Sequence, residues 1–95
     1  MAQDTKERAR FYRETLQASR EGGVRFAQEI LSDMDRGEMT KVLARATAGV
    51  REHLAGALGC TPPEVVDCAD AFTEAAVVEW TRIRAAMGSM RSGMA

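Results

Sequence analysis

Nine consecutive residues, Leu58-Gly59-Cys60-Thr61-Pro62-Pro63-Glu64-Val65-Val66, specify a helix end, a turn and a helix start. Gly59 closes the helix that precedes it. Thr61 can cap the next helix by accepting from a free backbone N–H. Pro62 then falls at the first helical position, where its missing donor is not needed. Glu64, three residues after Thr61, can reach back to complete a capping box. The run therefore predicts two helices joined by a tight turn.

The rest of the chain reads as helix on either side of that turn. A first segment, about Asp4 to Glu21, opens with Asp4 and Glu7 in capping-box spacing and carries a narrow apolar stripe of Ala9, Tyr12 and Leu16 beside Phe11. Gly22-Gly23 is expected to end it. A second segment, Val24 to Arg36, sets Ala27, Ile30, Leu31 and Met34 on one side, and Gly37 is expected at its left-handed C-terminal position. The third, about Glu38 to Leu58, has Met39, Leu43, Ala46, Val50, Leu54 and Ala57 at steps of 3 and 4. Gly49 and Gly56 inside it suggest close approach of a neighbouring helix, or, for Gly56, simple tolerance. The fourth runs to about Met87. Its Val65, Ala69, Phe72, Ala76, Trp80, Ile83 and Met87 follow an 11-residue repeat, which keeps one face in line along a nearly straight helix.

Composition narrows the class. The chain has 95 residues, 45% of them hydrophobic and 28% charged, with a net charge of -1. That is one domain at most, able to bury only a modest core. The near-zero net charge gives no bulk attraction to nucleic acid or to anionic membrane. No apolar run approaches the ~20 residues of a membrane span, and the polar N-terminus lacks a signal-peptide core. A cytoplasmic protein is expected, with Cys60 and Cys68 reduced and buried. Abundant Ala and Arg with only two Lys suggest a bacterial or phage origin.

The spacing Leu54-Ala55-x-x-Leu58-Gly59-Cys60-Thr61-x-x-x-Val65 resembles a bacterial helix-turn-helix core, over about twenty residues of the chain. Its chemistry is adverse to DNA. A recognition helix needs Arg, Lys, Asn, Gln or Ser near its start, and the matching positions hold Pro62, Pro63, Glu64, Asp67 and Asp70. From Thr61 to Thr81 there are five acidic residues and no basic one. Asp67, Asp70 and Glu74 share a helix face, which reads as a solvated strip or as a docking strip for an Arg-rich surface such as Arg8, Arg10 and Arg13.

No catalytic, cofactor or metal set is legible. One histidine, His53, excludes the paired Glu-x-x-His of a di-metal bundle. Asp33-x-Asp35-x-Gly37 is similar to the start of a calcium loop, but its twelfth position is Ala44. The Lys-Ser/Thr of a phosphate loop follows none of the glycines.

These features predict an all-α fold: a small bundle of three to four helices with a C-terminal helical hairpin. Residues 1–87 form a single domain and 88–95 a flexible tail. The expected core is Leu31, Leu43, Val50, Leu54, Leu58, Val65, Phe72, Trp80 and Ile83. The expected function is a small non-enzymatic protein–protein interaction module, a regulator or adaptor acting as a homodimer. The alternative is a helix-turn-helix DNA-binding regulator. Partner-binding residues are expected at Asp67, Asp70 and Glu74, as a docking strip for a basic surface, and at Ala75, Val78 and Met87, because the apolar face of the fourth segment is wider than one helical partner covers.

Overall fold

The computed structural model describes residues 2–94, with side chains from 5 to 88. Three helices make up the chain: α1 (Ala2–Phe26), α2 (Arg36–Gly56) and α3 (Pro62–Met94). A π-helical turn, Ala27–Leu31, extends α1 without a break, since Phe26 and Ser32 on either side of it keep right-handed helical angles. Among the described residues there is no strand.

The turn between α2 and α3 forms as its residues dictate. Gly59 has a φ of 64° and is the single positive-φ residue among those described. The Cys60 N–H donates to the Leu54 carbonyl at 2.9 Å, closing the end of α2. The Thr61 N–H donates to the Glu64 carboxylate at 2.8 Å, the reach-back half of a capping box. α2 and α3 then run antiparallel. Thr47 and Thr73 share a hydroxyl hydrogen bond of 2.9 Å midway along the pair.

α1 departs from expectation. Gly22-Gly23 does not end the helix: both lie inside it, and the expected second segment joins the first as far as Leu31, while its last residue, Arg36, opens α2. The reason is tertiary. A Cβ added at Gly23 would run into the Phe72 carbonyl oxygen and sit 3.1 Å from the Ala75 Cβ. The glycine is the point where α1 presses its backbone onto α3. α1 and α3 run parallel, as successive contacts show: Arg8 pairs with Glu64, Tyr12 bonds Asp67 and Gln28 bonds Glu79.

Other glycines are also corrected. Gly37 is not a helix terminator. It lies in the first turn of α2, whose cap is Asp35, with a carboxylate that accepts from the Glu38 N–H at 2.8 Å. Gly49 and Gly56 admit no neighbouring helix, since a Cβ at either would meet nothing within 4 Å.

The core has two parts. Ala27, Leu31, Met39, Leu43, Phe72, Ala76 and Trp80 form one. Leu54, Cys60, Cys68 and Ala69 form the other, under the α2–α3 turn. Of the expected core, Val50, Val65 and Ile83 are half-buried, and Leu58 is 40% exposed. Leu58 falls outside the core because α2 ends at Gly56 and the chain leaves the helix there. Trp80 is anchored at the far end, where its indole N–H donates to the Met34 carbonyl at 3.1 Å. Burying each such large side chain contributes roughly 1.5–3 kcal/mol.

The molecule measures 63 × 22 × 17 Å. No described helix is long and apolar enough to cross a membrane. Of the expected flexible tail, 88–95, the backbone to Met94 continues α3, and the side chains from 89 on lie outside the described residues.

Candidate functional site

α1 and α2 both lie on α3 and touch each other little. Between them runs an open apolar groove of about 710 Å³. Its α1 wall is Phe11, Ala18, Gly22 and Phe26, and its α2 wall is Ala46, Gly49, Val50 and Leu54. Phe72 of α3 forms the floor, with its ring centroid 5.7 Å from that of Phe26. Four of the eight wall residues are Ala or Gly, so a visiting backbone can come close. Polar atoms stay at the margins. The Ser19 hydroxyl donates within its own helix to the Thr15 carbonyl, and Glu14 and His53 are exposed. Leu58 extends the apolar lining at the α2–α3 turn. This is a hydrophobic cleft between two helices with a third helix beneath it, the arrangement that accepts a further helix.

Five of the six residues expected to bind a partner, Asp67, Asp70, Glu74, Ala75 and Val78, line one trough between α1 and α3, and Met87 lies apart from it. Asp67 accepts a hydrogen bond of 2.9 Å from the Tyr12 hydroxyl, and that bond pushes the Tyr12 pKa above its ordinary value. Asp70 and Glu74 are exposed. Ala75 is half-buried because it packs where Gly23 crosses α3. Val78 is 63% exposed and stands beside Asp70 and Glu74 along that trough. Met87 is exposed, more than two turns beyond Val78. The Arg-rich surface expected to meet the acidic strip is partly engaged within the chain. Arg8 pairs with Glu64, and the Thr61 N–H together with Arg8 holds that carboxyl below the usual range.

One polar cluster escaped the sequence. Glu79 is buried and accepts from Nε and Nη2 of Arg82 at 2.6 and 2.8 Å, and from the Gln28 amide at 2.6 Å. The Arg82 bonds, then the Gln28 bond, lower its pKa to about 2. The i, i+3 spacing of Glu79 and Arg82 is visible in the sequence, but not that Gln28, 51 residues away, closes the cluster.

The chemistry of the remaining candidates is quiet. Cys60 and Cys68 are buried, unbonded thiols, and burial pushes both pKa values up, away from the thiolate. Asp35 is committed to capping α2, and the Glu38 N–H holds its carboxyl below the ordinary range. Among the described residues, no three His, Cys, Asp or Glu side chains gather closely enough to hold a metal ion.

Comparison with protein-family models, curated proteins and solved structures returns no match for this chain.

Proposed function

We propose that this chain is a non-enzymatic protein-interaction module, and that the groove between α1 and α2 receives an amphipathic helix of another protein. The observation that carries this reading is the groove itself, with the half-buried Phe11, Phe26 and Val50 accessible along its length. A helix laid there would complete a four-helix bundle on the existing three, burying its own apolar stripe. The raised thiol pKa values and the exposed position of His53 favour a binding role over a nucleophilic one. A reducing, cytoplasmic setting fits the two free buried cysteines.

The helix-turn-helix alternative gains no support at the start of α3. Glu64 and Asp67 there are engaged with Arg8 and Tyr12, and carboxylates would face the phosphates. In the favoured reading the module also self-associates, through a different face, that of α1 and α3.

The test is partner retention by immobilised protein. Gly49→Arg places a charge in the groove at a position with no neighbour to clash with. Ala85→Arg, on the exposed side of α3, is the control. A partner held by the wild type and the control and lost with Gly49→Arg supports the reading. A partner set indifferent to Gly49→Arg sinks it.

A further inference from the structure

The face where α1 meets α3 carries two ridges of opposite sign. On α1, Lys6, Arg13 and Arg20 recur every seven residues and are all exposed, so they share one side of the helix. On α3, Asp67, Asp70 and Glu74 form the acidic ridge. Between the ridges lies a trough lined by Leu16, Val24, Ala71, Ala75 and Val78, with a volume of about 580 Å³. Among the described residues, Arg13, Arg20, Asp70 and Glu74 make no ion pair within the chain. The apolar trough and the unpaired charges beside it lie on the same face.

The two ridges also match in height. Tyr12 touches Asp67, and Gly23 crosses α3 at Phe72 to Ala76. Arg13 therefore stands level with Asp67, and Arg20 stands between Asp70 and Glu74. Because α1 and α3 are parallel, a two-fold axis running along the helices preserves these heights. It sets α1 of one copy over α3 of the other, and the reverse, in an isologous contact. A two-fold axis across the helices would instead set α1 on α1, with Arg facing Arg and carboxylate facing carboxylate.

We propose that the α1–α3 face binds a second copy of this chain about a two-fold axis parallel to the helices, basic ridge on acidic ridge, with the Leu16–Val78 troughs buried between them. This rests on the reading of the chain as a self-associating module, and adds the face, the partner and the register.

Sedimentation equilibrium or light scattering reads the mass directly, which matters for so elongated a molecule. The wild type at about 100 µM and low salt is dimeric, a range where even a weak dimer is populated, and the dimer weakens as salt rises. Arg13→Glu with Arg20→Glu raises the dimer dissociation constant roughly tenfold or more, since each attraction becomes a repulsion. Asp70→Arg with Glu74→Arg does the same. The chain carrying all four reversals dimerises again, because opposite charges are restored across the axis. All four positions are exposed, and circular dichroism checks that each variant keeps its helix. A monomeric wild type overturns the proposal. So does a dimer indifferent to either pair of reversals, or a four-fold variant that fails to recover. Groove occupancy is read separately with Gly49→Arg, so either reading can fail without the other.

Discussion

Gly23 sits so close to the carbonyl of Phe72 that no side chain fits between them. The contact brings the backbones of α1 and α3 together in the last turn of α1, and Ala75 and Ala76 flank it. Gly23→Ala forces the helices apart and costs about 1–3 kcal/mol, the usual penalty for overpacking. Gly49→Ala has the opposite sign. Nothing lies within 4 Å of its new Cβ, so α2 gains roughly 0.5–1 kcal/mol of helix stability. Urea titration of the two variants checks both signs.

Trp80 is the single tryptophan, 6% exposed. Its emission is therefore expected to be blue-shifted when folded and to move red in one step with unfolding. Trp80→Phe leaves the Met34 carbonyl without its indole donor. The orphaned acceptor and the lost volume together cost about 1–3 kcal/mol. Since that variant has no tryptophan, its unfolding is followed by far-ultraviolet circular dichroism.

Acid weakens the fold. Glu79, Glu64 and Asp35 all have carboxyl pKa values depressed in the folded state, Glu79 to about 2. A depressed value contributes stability that is present above the unfolded carboxyl pKa, roughly 4, and is lost as pH falls toward the folded one. The urea midpoint is thus flat at neutral pH and declines between about pH 5 and pH 2. Glu79→Gln lowers the neutral midpoint and makes the acid decline shallower. An equal decline in wild type and variant counts against the Glu79–Arg82–Gln28 cluster as its source.

The thiols report the second core cluster. Cys60 and Cys68 are buried with raised pKa values, so a water-soluble disulfide reagent at pH 8 labels them slowly in the native protein. Labelling becomes fast in urea. Leu54→Ala, which opens the same cluster, speeds native labelling. Rapid labelling of the undisturbed wild type contradicts the burial.

Features set by neighbours in sequence were legible without a structure. Gly59, Thr61, Pro62 and Glu64 act on one another within six residues, and the turn formed as their chemistry requires. The stripe from Val65 to Trp80 was legible too, because helical period alone defines it. It fails at Met87, which lies beyond the reach of Met34 and Arg36, the residues that cover Trp80. The glycines misled. Gly22-Gly23 carries one local signal, conformational freedom, with two uses: stopping a helix, or letting another backbone approach. Phe72, about fifty residues away, decides between them. Gly37 was misread because Asp35 supplies a stronger helix-start signal two residues earlier. The groove was not legible at all. Phe11, Phe26 and Val50 look like core in any helical pattern, and only the gap between α1 and α2 leaves them accessible.

The up-down-up course of the chain also sets an order of assembly. α2 and α3 meet across a five-residue connection, Ala57 to Thr61, so closing that hairpin loses little chain entropy. α1 finds its partners only across separations such as the 56 residues from Arg8 to Glu64. On chain entropy alone, those contacts are expected to form after α2 has turned the chain around and α3 offers a surface. Nascent hairpins would pass through an interval with Phe72 and Ala76 bare, and α1 is the segment that quenches their stickiness.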